Sequence, residues 1–233
     1  MSIKKILIKT IIPLFLVGLM ALYLLWNTVP TRISKTLSEA LKTTVFIGNA
    51  RFSPNVINFD KISINSIKNS KLPQAFTCEN LGLHNFFTNY FHSDIEIDLI
   101  ELNDVYLGLE FDSPNSATGN WSRLMDNLQN STTNRTSKSS KSVTIKKLVI
   151  KNIKCQIVYL DRNSKPIDLK TIPYLEFTDI SSSEGFPIEQ LSNSVLGKML
   201  KKVFVDQNLK DMLGDWTQPK QQIQKLIKPF KLF

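Results

Sequence analysis

The sequence predicts a β-dominant α+β protein. Its expected parts are an N-terminal transmembrane helix, a twisted, curved and mainly antiparallel sheet with one apolar face, and amphipathic helices at the C-terminus. Three observations carry that expectation: an apolar run near the start, a hydrophobic spacing that recurs in strand-like steps, and a change to helical period after residue 188. With 233 residues, 42% hydrophobic and 21% charged, the composition is that of a folded chain of one or two domains. A mean hydropathy of -0.09 excludes a polytopic membrane protein. The formal charge of +9 asks for an acidic partner, a phospholipid surface or nucleic acid.

Residues 6–26 are apolar apart from Lys9 and Thr10. They would span roughly 31 Å as a helix at about 1.5 Å per residue, enough to cross a hydrocarbon core. Tyr23 and Trp26 sit at the far end, where amphipathic aromatics favour the interface. Lys4, Lys5 and Lys9 precede or enter the run and only Arg32 and Lys35 follow closely, which favours an internal N-terminus and an exported body. A cleaved signal peptide is the alternative, but the stretch around Leu25 and Asn27 has no Ala-x-Ala site.

The body is expected to be built on a repeated frame. Ile57, Phe59, Ile62, Ile64 and Ile67 are spaced by two, three, two and three. Ile95, Ile97, Ile100, Leu102 and Val105 repeat these steps, and so do Val143, Ile145, Leu148, Ile150 and Ile153. A looser copy runs through Ile167, Leu169, Ile172, Tyr174 and Phe177. Alternation then continues through Leu107, Leu109 and Phe111, and through Cys155, Ile157 and Tyr159. Steps of two are strand periodicity. A step of three must be absorbed by a turn or a bulge. Asn65-Ser66, Asn103-Asp104 and Lys151-Asn152 fall at the second such step, and Asn and Asp tolerate the left-handed conformation of a two-residue hairpin, so tight turns are expected there. The acidic set Asp94, Glu96 and Asp98 reads as a solvated strand face, because Thr144 and Lys146 hold the matching places in the next copy.

Ser122 is a candidate N-cap for a helix burying Leu124, Met125 and Leu128. Residues 129–142 are polar and read as a linker. Beyond residue 188, Leu191, Val195, Leu196, Met199, Leu200 and Val203 form a helical stripe, and Ile223, Leu226, Ile227 and Phe230 form a second among lysines. Such stripes either cap the sheet or lie on an anionic membrane.

Catalytic signals are missing. His84 and His92 lack ligand partners at metal-binding spacing, and no Gly-x-Ser-x-Gly, P-loop, HExxH or CxxC motif occurs. Cys78 and Cys155 are either a bridge or small apolar core residues. The lysines do not interleave with aromatics on one face, so nucleic acid is not an expected partner. Neither an enzyme nor a cofactor is expected.

The order of these features, with Asn120-Trp121 opening a Leu-rich helix after a Pro-containing strand end and the later Ile145-to-Ile150 frame, resembles the AsmA-like family of bacterial envelope proteins over about residues 1–205. The resemblance implies a short member: a sheet curled into a groove whose concave apolar side accepts lipid acyl chains. It implies a single-pass inner-membrane protein with a cytoplasmic N-terminus and a periplasmic body. The expected partners are membrane phospholipid, with envelope proteins or a second copy beside it. The implied role is lipid handling or envelope assembly without catalysis; the alternative is an anchored structural module that binds no lipid. On this reading residues 1–30 are the anchor and 31–128 a first β-rich unit. A linker (129–142), a second unit (143–205) and a basic tail (206–233) follow. The lipid-facing residues are expected to be Ile95, Ile97, Ile100, Leu102, Val105, Leu107, Leu109, Ile145, Leu148, Ile150, Ile153 and Ile157. Eight to ten strands side by side would make a groove roughly 40 to 50 Å long, too short to bridge two membranes.

Overall fold

A computed structural model describes residues 28–85, 94–114, 116–134, 142–161, 165–182, 199–207 and 209. It is β-dominant, as expected, with a mixed, open sheet. Helix α1 (Val29–Leu41) leads into strands β1 (Val45–Ile47), β2 (Ala50–Ser53), β3 (Val56–Asn65), β4 (Gln74–His84) and β5 (Asp94–Phe111). Helix α2 (Asn120–Asn134), then strands β6 (Ser142–Tyr159), β7 (Ile167–Asp168) and β8 (Ile172–Ser182), follow. Residues 199–206 are helical and are called α3. Among the described residues no helix is long and apolar enough to cross a membrane. The apolar run 6–26 and the second basic stripe lie outside them, as do residues 183–198.

The sheet runs β1-β3-β4-β5-β6-β7, with β2 beside β1 on the flank of β3 and β8 beside β7 on the flank of β6. Every ladder is antiparallel except the central one: β5 and β6 are parallel. A parallel pair needs a crossover, and the segment carrying α2 provides it. The two best copies of the hydrophobic frame are thus laid side by side, Ile97 against Ile145, Ile100 against Leu148, Leu102 against Ile150 and Val105 against Ile153. The stretches 31–128 and 143–205 contribute to this one sheet, and residues 129–134 of the expected linker are the end of α2. Because β1 and β2 share one flank and β7 and β8 the other, six strands lie abreast among the described residues. That is roughly 24 Å at about 4.8 Å per interval, half the length expected from counting strands.

The expected hairpins at Asn103-Asp104 and Lys151-Asn152 are absent. Both pairs lie inside single 18-residue strands, and only Asn65-Ser66 marks a strand end. Lys61, Asp104 and Asn152 take left-handed φ angles of 53°, 54° and 54°. Counting from the flanking pairs, Lys61, Glu79, Asp104, Asn152 and Pro173 form one row across β3, β4, β5, β6 and β8. Each strand steps its phase at the same level, so the ladders on either side of the row stay in register and no strand carries an extra residue at this row; the one register shift of the β3–β4 ladder lies farther along, between Ile64 and Asn65. A shared jog, rather than a turn, absorbs the step of three and keeps the apolar residues before and after it on one face.

One edge of the sheet is covered. Pro30 sits in the first turn of α1, where its missing N–H costs nothing, and Lys42 ends the helix in the left-handed region. Ser34 and Ser38, one turn apart, accept the backbone N–H groups of Ile47 (3.0 Å) and Val45 (2.8 Å). About 6 Å of helix rise matches two residues of strand, so the serines take up the donors that β1 would leave unpaired.

Candidate functional site

All twelve residues expected to face lipid lie on the same side of β5 and β6 and belong to one apolar cluster. Their exposure runs from 0% at Leu107, Ile145 and Ile150 to 7% at Ile95, so none points outward. The registers extend them into transverse rows. Ile57, Leu83, Ile100, Leu148 and Phe177 make one; Phe59, Leu81, Leu102, Ile150 and Leu175 the next; Ile62, Cys78, Val105, Ile153 and Ile172 a third. The β4 members were missed in the sequence, although Phe76, Cys78, Leu81 and Leu83 repeat the steps of two, three and two. On β8 the frame is displaced: Leu175 faces the core while Tyr174 is exposed, because the antiparallel strand meets the jog from the opposite direction.

Coverage of this face is uneven. α1 contributes Ala40 and Leu41, α2 contributes Trp121, Leu124, Met125 and Leu128, and α3 contributes Met199, Leu200, Val203 and Phe204 to the same cluster. Phe204 packs edge-on against Phe111, with ring centroids 5.6 Å apart. Along the β3–β4 flank, Ile57, Ile62, Leu81 and Leu83 are only half-buried, as is Phe177 on β8.

The Asn120-Trp121 pair has a definite structural task. Asn120 Oδ1 accepts the N–H groups of Glu110 (3.0 Å) and Trp121 (2.8 Å), and its Nδ2 donates to the Gly108 carbonyl at 2.8 Å. Trp121 Nε1 donates to the same carbonyl at 3.0 Å. Ser122, the expected N-cap, lies inside the helix instead, its Oγ accepting the Gly119 N–H at 2.8 Å. A Cβ on Gly119 would lie 1.9 Å from the Glu110 carbonyl oxygen, so only glycine permits this approach. The carboxylate of Glu110, itself buried, accepts the Lys71 N–H at 2.6 Å and the Leu72 N–H at 3.3 Å. This node pins α2 and the β3–β4 connection to the end of β5.

The opposite face of β5, β6 and β8 carries cross-strand ion pairs, with Val149 and Val158 buried among them. Lys146 reaches Glu96 at 3.1 Å and Asp98 at 2.9 Å, Lys147 reaches Glu176 at 3.0 Å, and Lys151 reaches Glu101 at 2.5 Å. Hydrogen bonding to Lys151 holds the Glu101 carboxyl below the usual carboxylate range, and hydrogen bonding to Asp98 and Glu96 raises the Lys146 ammonium. Glu96 and Asp98 of the acidic set are therefore one side of a cross-strand charge ladder, as a solvated strand face requires; the Asp94 side chain lies outside the described residues. His84 Nε2 lies 3.7 Å from Glu101; His92 lies outside the described residues. Among the described residues no three His, Cys, Asp or Glu side chains are grouped to hold a metal. Cys78 and Cys155 are free and buried on β4 and β6 with β5 between them, about 10 Å of sheet and too far for a disulfide. Burial pushes both thiols up to about 12, which removes them as nucleophiles at neutral pH.

Compared with known proteins, the chain matches no family model and no curated sequence.

Proposed function

We propose that this protein is a membrane-tethered β-groove protein of AsmA-like type. In this reading residues 6–26 cross the bacterial inner membrane and the curved sheet lies in the periplasm. The sheet receives phospholipid acyl chains without catalysis, in lipid handling or envelope assembly. One observation carries the reading: an open sheet aligns apolar side chains of five strands into rows, and the β3–β4 margin of those rows (Ile57, Ile62, Leu81, Leu83) remains half-open. Each methylene laid on that margin gains about 0.8 kcal/mol when fully withdrawn from water, so a partial acyl chain is held with no polar anchor.

Photo-crosslinking in native membranes tests it. A benzophenone side chain at Leu83 is expected to give phospholipid adducts by mass spectrometry, and the same group at Lys154 on the outer face none. Absence of adducts at Leu83, with the protein folded, rejects the lipid role. The sealed β5–β6 centre favours a second reading, an anchored structural module whose apolar face is only its own core. That module would keep its melting temperature after complete delipidation.

A further inference from the structure

The solvent side of α1 is basic. Arg32, Lys35, Glu39 and Lys42 are exposed and spaced by three, four and three, so they line one helical face with three cations to one carboxylate. From the other face, Ile33, Leu37, Ala40 and Leu41 pack on the apolar cluster. Ser34 and Ser38, which bond the edge of β1, lie between the two. The basic stripe therefore turns away from the core, toward the outer face of the sheet. Phe46 lies on that same side of β1, where it alternates with buried Val45 and Ile47. At 56% it is the most exposed large hydrophobic side chain among the described residues.

We propose that this surface, Arg32, Lys35, Lys42 and Phe46, docks on the headgroup layer of an anionic phospholipid bilayer, the same bilayer that residues 6–26 cross, and lays α1 flat against it. The inference rests on the anchored reading for the position of the bilayer, and is independent of whether the apolar face takes up acyl chains.

Chain length is the first argument. Val29 follows Trp26 by three residues, so α1 starts at most about 11 Å of extended chain from the expected end of the span. Lys42 stands roughly 20 Å farther along the helix axis at about 1.5 Å per residue. An upright helix would carry it well outside the Debye length of about 8 Å at physiological salt, whereas a helix lying flat keeps all three cations within reach of the headgroups. Charge complementarity is the second argument. Lys146 and Lys151 sit on carboxylates, but no ion pair involves Arg32, Lys35 or Lys42 among the described residues. Basic side chains directly beside a membrane span are drawn to anionic lipid, and their long stems let the charged heads reach it. Phe46 adds an aromatic ring of the kind that enters the headgroup boundary next to such cations.

The test reconstitutes the full-length chain in nanodiscs of phosphatidylcholine, alone or mixed with phosphatidylglycerol. An environment-sensitive dye is attached at Phe46→Cys or, as the control, at Lys154→Cys. The registers place residue 154 in the same outer-face row, four strand intervals or about 19 Å away. In the anionic discs the dye at residue 46 is expected to shift to the blue and to lose about threefold in quenching by acrylamide, while the dye at residue 154 is unchanged. At about 1 M salt, where the Debye length falls to about 3 Å, the protection should vanish. Arg32→Gln with Lys35→Gln and Lys42→Gly should abolish it; glycine suits the left-handed φ of 54° at residue 42, and circular dichroism verifies the fold. Arg32→Lys with Lys35→Arg, which keeps the charge, should retain it. Equal quenching in both kinds of disc, equal protection at residues 46 and 154, or undiminished protection in the triple variant overturns the docking surface and leaves the anchor standing. Release of the native chain from the discs by alkaline carbonate removes the anchor and this surface together.

Discussion

The centre and the β3–β4 flank of the sheet carry the same hydrophobic frame but live in different surroundings. Leu107 and Ile150 in the centre are fully buried, whereas Leu81 and Leu83, one strand away on the same face, keep part of their surface in water. The difference lies in neighbours. All four strands have partners on both sides, but β5 and β6 lie at the centre of one cluster with three helices, while β3 and β4 lie toward an edge that α1 meets through Ser34 and Ser38. One spacing therefore serves two ends, a core in the middle and an accessible apolar strip at the margin.

Charge insertion breaks this comparison most forcefully. Ile150→Asp would bury an unpaired carboxylate at a site of zero exposure, and a loss of more than about 4 kcal/mol is expected, enough to unfold the domain. Leu83→Asp, whose carboxylate can reach water, should cost about 1 to 2 kcal/mol in urea titrations. Equal losses at both positions would mean that the flank is as sealed as the centre.

The truncation pair sharpens the same contrast at smaller amplitude. Leu107→Ala should cost about 3 kcal/mol and Leu83→Ala about 1 kcal/mol, since only the first leaves a closed cavity. Between them falls Asn120→Ala, which orphans the Glu110 N–H and removes the donor to Gly108. About 2 kcal/mol is expected, with α2 loosened in hydrogen exchange before the rest.

Cysteine chemistry reads the closure of the centre without a stability measurement. With both thiols pushed up to about 12 from a usual value near 9, the native thiolate fraction at pH 8 is about a thousandfold below that of a free thiol, so alkylation should await unfolding. The linkage has one sign. Below pH 9 the thiols are neutral in both states and contribute nothing. Between pH 9 and 12 only the unfolded chain releases their protons, so stability falls as pH rises.

The smallest effects belong to the outer face and the jog. Asp104→Ala places a Cβ-bearing residue without a local hydrogen-bonding side chain in the left-handed region and should cost about 1 kcal/mol, rescued by Asp104→Gly. Lys151→Ala should cost under about 1 kcal/mol and let the Glu101 carboxyl rise toward its ordinary range. The Glu101 contribution is present at neutral pH and is lost as acid protonates the carboxylate through its lowered value.

Much of this was legible along the chain. The steps of two marked strands, the recurrence of the frame identified Ile95 to Leu109 and Ile145 to Ile157 as one set, and Asn120-Trp121 with Leu124, Met125 and Leu128 located α2. The misreadings have a common origin. Asn103-Asp104 and Lys151-Asn152 carry the left-handed preference that a hairpin needs, but a single left-handed residue also fits inside a strand when its neighbours step with it, and no single strand reveals whether they do. The offset between the two copies equals their pairing register, yet parallel pairing depended on the crossover through α2. What the amino-acid order determined alone is which side chains share a face, because that follows from local backbone periodicity. Which of those side chains are sealed and which remain open was decided only by long-range pairing and helix docking, since burial is a property of what lies across space.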